Sequence, residues 1–131
     1  MIYAFSIATP ANTAEAAKQR TVLTITKGIV HQFEVFFPPG CVGLVHLQIF
    51  NALQQILPSG QGSSFIGDGT TLAYREFIEL VEPPYQLTAY TWNLDDTYAH
   101  TITLRLGILP ERILAPWQMS FTDRLRALLG G

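Results

Sequence analysis

The ten residues HTITLRLGIL, positions 100–109, alternate without a break. Ile102, Leu104, Leu106 and Ile108 fall on one side, and Thr101, Thr103, Arg105 and Gly107 on the other. A period of two is that of a β-strand with one face on a core and one in water. The same period runs through most of the chain. IYAFSIAT sets Tyr3, Phe5 and Ile7 against Ala4, Ser6 and Ala8, and TVLTIT sets Leu23 and Ile25 against Thr24 and Thr26. VHQFEVFF sets His31, Phe33, Val35 and Phe37 against Gln32 and Glu34, and LVHLQIF sets Val45, Leu47 and Ile49 against His46 and Gln48. YQLTAYTW sets Leu87 and Ala89 against Thr88, Tyr90 and Trp92, while LAYREFIELVE is strand-like but mixed. The breaks TPANT, TKG, FPPGC, LPSGQGSS, GDGT, EPPY and NLDDTY carry turn chemistry.

Some seven strands with polar outer faces and Gly/Pro punctuation predict an all-β fold, an antiparallel β-sandwich of the jelly-roll kind. The half-polar alternation argues against a parallel sheet buried on both faces. No repeated unit suggests a solenoid or propeller.

A chain of 131 residues suits one domain. The alternation assigns residues 1–109 to the sandwich, with the Ala-rich stretch 11–20 as a linker or short helix capped at Asn12 or Thr13. Residues 110–131 form a C-terminal arm. Its end, SFTDRLRALLGG, reads as a short amphipathic helix with Phe121, Leu125, Leu128 and Leu129 on one face. Gly130 suits its stop, and Asp123 suits its positive end.

Composition narrows the function. Only 14% of residues are charged, against about a quarter in an average domain. Apolar residues make up 48%, net charge is −2, and Lys and Arg are scattered. Nucleic-acid binding by phosphate neutralisation is not expected. Cys41 is the single cysteine, so no internal disulfide forms, and its PPGC turn reads as a buried site. The N-terminal stretch lacks a basic region and a long apolar run, so no signal peptide is expected. No segment reaches the ~20 apolar residues of a membrane span.

TWNLDDTYAH, positions 91–100, gathers Asn93, Asp95, Asp96 and His100. Asn and Asp stabilise tight turns by bonding their own backbone, so the stretch reads as a hairpin turn between two strands. His31 and His46 differ in parity, which opposes a shared zinc site unless a bulge intervenes. SGQGSS lacks a nucleophile elbow, and GQGSSFIGDG lacks the ending of a phosphate loop. Residues 58–70 read as a long mobile loop. Glu76 and Glu79 face opposite ways in one strand, which does not suit a hydrolytic carboxylate pair. No catalytic, cofactor or metal residue is therefore expected, and the chain reads as a non-enzyme. Tyr90, Trp92 and Tyr98 with Asp95 and Asp96 supply an alternative: a carbohydrate- or ligand-binding module stacking a sugar on aromatic rings.

The tail carries Ile113, Leu114, Trp117, Phe121, Leu125 and Leu128 on a sandwich already complete without them. Exposed, they would form an apolar patch larger than a monomer tolerates. With Tyr3 and Phe5 of the first strand, which could join a neighbour's sheet edge, they are the expected assembly interface. HQFEVFFPPGCVGLVHLQI and YQLTAYTWNLDDTYAHTITLRL, about a third of the chain, carry a resemblance. With their Thr/Gln-rich strands, low charge and Pro/Gly turns, they resemble small jelly-roll decoration (cement) or minor structural proteins of tailed-phage virions. The resemblance implies a structural subunit made in host cytoplasm and placed in a virion. Its partners would be copies of itself and another structural protein.

Overall fold

The computed structural model describes residues 1–110. They form eight strands: β1 (Ile2–Thr9), β2 (Gln19–Thr24), β3 (Gly28–Phe37), β4 (Val45–Asn51), β5 (Gln54–Leu57), β6 (Thr70–Leu80), β7 (Gln86–Asn93) and β8 (His100–Leu109). All ladders are antiparallel and make two four-stranded sheets, β1-β8-β3-β6 and β2-β7-β4-β5. This is the all-β sandwich that the alternation predicts, in the strand order of a jelly roll.

Val30, Phe33, Val35 and Phe37 of β3 join Ile102, Leu104, Leu106 and Ile108 of β8 on one inner face. Leu23, Val45, Leu47, Ile49, Leu87 and Ala89 meet them from the other sheet. Burying each large apolar side chain contributes about 1.5–3 kcal/mol, so this layer is what drives the two sheets together. Cys41 is fully buried at the edge of the core.

Four expectations change. First, the hairpin across Asn93–Tyr98 does not form: β7 lies in one sheet and β8 in the other. In this topology consecutive strands mostly cross between layers, and β4–β5 is the one sequence-adjacent pair among the described strands that lies side by side.

Second, His31 does not share a face with Phe33. An irregularity between Val30 and Gln32 breaks the register of β3 with both neighbours. The extra residue turns His31 outward over Gly107, where an added Cβ would stand 2.9 Å from its Nε2.

Third, stretch 11–20 holds one 3-10 turn, Glu15–Ala17, and then enters β2. Its N-cap is Ala14, with no side-chain bond. Asn12 and Thr13 instead tie the stretch to the loop after β7: Thr13 and Asn93 exchange two backbone hydrogen bonds of 2.9 Å.

Fourth, residues 58–70 are fastened to the fold. Phe65 and Leu47 exchange backbone hydrogen bonds of 2.9 and 3.1 Å.

β1 pairs with β8 of its own chain and forms one edge of its sheet. Ile113, Leu114, Trp117, Phe121, Leu125 and Leu128, and the helix expected around them, lie outside the described residues. Among those described, no helix is long and apolar enough to cross a membrane.

Candidate functional site

The outer face of the β2-β7-β4-β5 sheet carries a dense polar and aromatic cluster. Alternation along β4 sends His46, Gln48 and Phe50 outward; β7 sends Thr88, Tyr90 and Trp92. The ladder places His46 opposite Trp92, Gln48 opposite Tyr90 and Phe50 opposite Thr88. Such cross-strand pairs lie within side-chain contact. The His46 and Trp92 rings stack at 4.8 Å and 6°, and Phe50 meets Tyr90 edge-on at 4.9 Å and 79°.

Lys18, just before β2, lays its ammonium over this surface. Nζ is 5.1 Å from the Tyr90 ring centre and 5.6 Å from those of Phe50 and Trp92. It also donates to Gln48 Oε1 at 2.9 Å. Three ring faces and an amide oxygen replace the water a lysine normally keeps.

Residues 58–64 cover the cluster from the other side. The Gln55 amide donates to the carbonyls of Pro58, Gly60 and Ser63, and Gln55 Oε1 accepts from Gly62 N–H. Gln48 Nε2 reaches Ser63 O at 3.0 Å. His46 Nδ1 and Ser64 Oγ lie 2.7 Å apart. Burial pushes the His46 pKa below its ordinary value against an opposing pull from Glu15, so the ring favours its neutral form. A neutral imidazole on a hydroxyl is the start of a nucleophilic pair. Among the described residues, no carboxylate is hydrogen-bonded to the other ring nitrogen, so the orienting member of a triad is missing.

The 93–100 stretch is a second constellation, at one end of the sandwich. Asp95 Oδ1 accepts from the backbone N–H of Thr97 and Tyr98, and Oδ2 lies 2.8 Å from His100 Nε2. Thr97 N–H first, and then His100, hold the Asp95 carboxyl below the usual carboxylate range. Asn93 is fully buried, donates to the carbonyls of Thr9 and Tyr98, and accepts from Asp95 N–H. These bonds satisfy the backbone of a sharp crossing. Nearby, Asp68 Oδ1 accepts from Gly40 and Val42 N–H. Burial first, then Asp68 and Asp95, push the Cys41 thiol up and away from thiolate chemistry.

The five residues expected for sugar binding do not form one site. Tyr90 and Trp92 stand on the sheet face, where Trp92 is 3% exposed. Tyr98 projects from the end loop at 67% exposure. Both Asp95 oxygens are committed, and Asp96 Oδ1 bonds Thr97 Oγ1. Tyr3 and Phe5 are stacked, half-buried on the inner side of edge strand β1. The histidines are scattered over the outer faces of both sheets and the end loop. Among the described residues, no group of three or more His, Cys, Asp or Glu could hold a metal ion.

Lys18, Gln48 and Gln55 are what the sequence reading missed. Alternation places Gln48 beside His46, but nothing local shows that β4 pairs with β7 or that Lys18 folds back across the sheet.

No family model matches the chain, and no curated protein matches it. Among solved structures it is similar to an Fe(II) HppE crystal structure, at TM-score 0.43 and 6% identity. It is also similar to hydroxypropylphosphonic acid epoxidase from S. wedmorenis, at TM-score 0.42 and 6% identity. In both cases 81% of this chain is matched to 43% of the other, so the chain spans less than half their length. The expectation of a non-enzyme is corrected here, because the structures matched are those of an enzyme. The likeness transfers no residue, cofactor or substrate to this chain.

Proposed function

We propose that the chain is a subunit of a repetitive assembly, a virion, joined to its own copies and to another structural protein. The observation that carries this is the open edge at β1. Met1 and Ile108 exchange two backbone hydrogen bonds, which makes them a hydrogen-bonded pair of the ladder. By its alternation, Tyr3, Phe5, Ile7 and Thr9 bond to β8. The N–H and C=O groups of Ile2, Ala4 and Ser6 therefore point away from the sheet. Ala8 O is taken by the Gln19 amide at 2.9 Å.

An unpaired edge is a template for another strand, and soluble proteins blunt it with charges, prolines or bulges. The opposite edge, β6, carries Arg75, Glu76 and Glu79 and a register shift. β1, IYAFSIAT, carries none of these. A strand from a second copy would extend the sheet by backbone bonds and would cover the half-buried Tyr3 and Phe5. The jelly-roll order is used by capsid subunits, lectins and cupins alike, so it is the edge that favours assembly.

Light scattering across a concentration series tests the reading. The wild-type chain should form species larger than one subunit. Ala4→Pro removes an outward N–H without touching the β8 ladder and should leave a folded monomer; Ser6→Lys should act in the same direction. A wild-type chain that stays monomeric throughout defeats the proposal. A variant lacking residues 111–131 separates any part played by Ile113, Leu114, Trp117, Phe121, Leu125 and Leu128 from that of β1.

A further inference from the structure

A cleft of about 480 Å³ opens at one end of the sandwich. Its floor is the outer face of β2 and β7, with Arg20, Gln86, Thr88 and Tyr90. The β4–β5 turn walls one side through Asn51, and the β6–β7 connection walls the other through Glu82. We propose that this cleft is a binding site for a neutral saccharide.

Size admits a small ligand, since such sites occupy roughly 300–1,000 Å³. The lining selects its class. Arg20 shares the lining with two carboxylates, Glu79 and Glu82. The ion pairs among the described residues are His100–Asp95 and Arg105–Glu34, so all three cleft charges are unspent. The balance is one positive against two negative, which repels phosphates and other anions. Leu53 at the rim is 97% exposed, so an acyl chain lying against it would stay wet.

Hydrogen bonding is what remains. Arg20, Asn51, Glu82 and Gln86 each end in a planar group with two or more hydrogen-bonding atoms, donors and acceptors mixed across the set. That spacing matches neighbouring hydroxyls of a sugar ring, each of which donates and accepts. Tyr90 supplies an aromatic wall already fixed by Phe50 and Lys18, so little ordering is left for binding to pay for. The inference is independent of the β1 edge, whose residues do not line the cleft.

The test is an amide NMR titration of the full chain with short neutral oligomers of glucose, galactose, mannose and N-acetylglucosamine, with inorganic phosphate alongside. One sugar series should shift amides around Arg20, Asn51, Glu82 and Gln86 and leave β1 still. Arg20→Ala, at an exposed position, and Gln86→Ala, at a half-buried one, should keep the wild-type spectrum elsewhere and weaken binding about tenfold each, the loss of one polar contact. The proposal is overturned if no sugar moves the cleft amides, if shifts map elsewhere, if phosphate binds the cleft more tightly, or if the folded variants bind as wild type.

Discussion

On the outer face of the β1-β8-β3-β6 sheet, Ala4, Ser6, Ala8, Ala73 and Thr101 lie exposed, and Phe77 is 55% exposed. On the outer face of the β2-β7-β4-β5 sheet, Trp92 is 3% exposed and Gln48 2%. Both faces follow the same alternation, yet only the second is covered over part of its area by its own chain. Lys18 clamps one side of it and the Gln55-ordered loop covers the other. A half-buried sheet in a small protein normally gives one face to water; here β4 and the Trp92 end of β7 give up that face, while β2 and the Gln86 end of β7 keep it open as the floor of the cleft. The first sheet keeps small side chains along Ala4, Ser6 and Ala8 of β1 and an unblunted edge, a surface free to meet another molecule.

Truncation should separate the two faces most sharply. Trp92→Ala removes a buried ring together with its His46 stack and its Lys18 contact, and should lower the unfolding free energy by about 3–5 kcal/mol. Phe77→Ala on the other sheet should stay within about 0.5 kcal/mol in the dilute protein. Urea unfolding of both variants checks this, and equal losses would erase the distinction between the faces.

Next comes the cover itself. Gln55→Ala strands Gly62 N–H and the carbonyls of Pro58, Gly60 and Ser63. It should cost about 1–3 kcal/mol, with faster amide exchange across residues 58–64 and unchanged protection in β8. Smaller again is Lys18→Met, which keeps much of the aliphatic stem and deletes the charge. A loss of about 1–2 kcal/mol is expected for a partly desolvated cation on aromatic rings. Limited proteolysis should then cut residues 10–18 sooner than the end loop.

The sandwich was legible because alternation is a local signal: Ile102, Leu104, Leu106 and Ile108 announce their inner face within ten residues. Four things were not legible in this way. Which sheet a strand joins depends on the whole topology, so Asn93–Tyr98 read as a hairpin although it crosses between layers. A single inserted residue at His31 reverses parity without any mark in composition. The cleft joins Arg20, Asn51, and the pair Glu82 and Gln86 from three separated segments, and no window of sequence holds them together. Lys18 looked like linker because its partners, Phe50, Tyr90 and Trp92, lie more than thirty positions away.

The finest test of the covered face is its pH dependence. The His46 pKa is lowered in the fold, with burial the larger cause. As pH falls past the ordinary imidazole value of 6.5, the unfolded chain takes up a proton that the folded ring resists. Stability therefore stands in full above that pH, declines as pH falls from it toward the lowered folded pKa, and declines no further for this group below that. Asp95, also lowered, contributes stability present above the ordinary carboxylate value of 3.8 and lost as pH falls through its folded pKa. The two windows open at different pH, so one titration reads both places. Denaturation midpoints should begin to fall below about pH 6.5 for His46 and to fall further below about 3.8 for Asp95. His46→Gln, which keeps a polar partner for Ser64, should flatten only the first fall; Asp95→Asn should flatten only the second. If His46→Gln leaves the upper window unchanged, the cover over this sheet does not depend on a neutral His46.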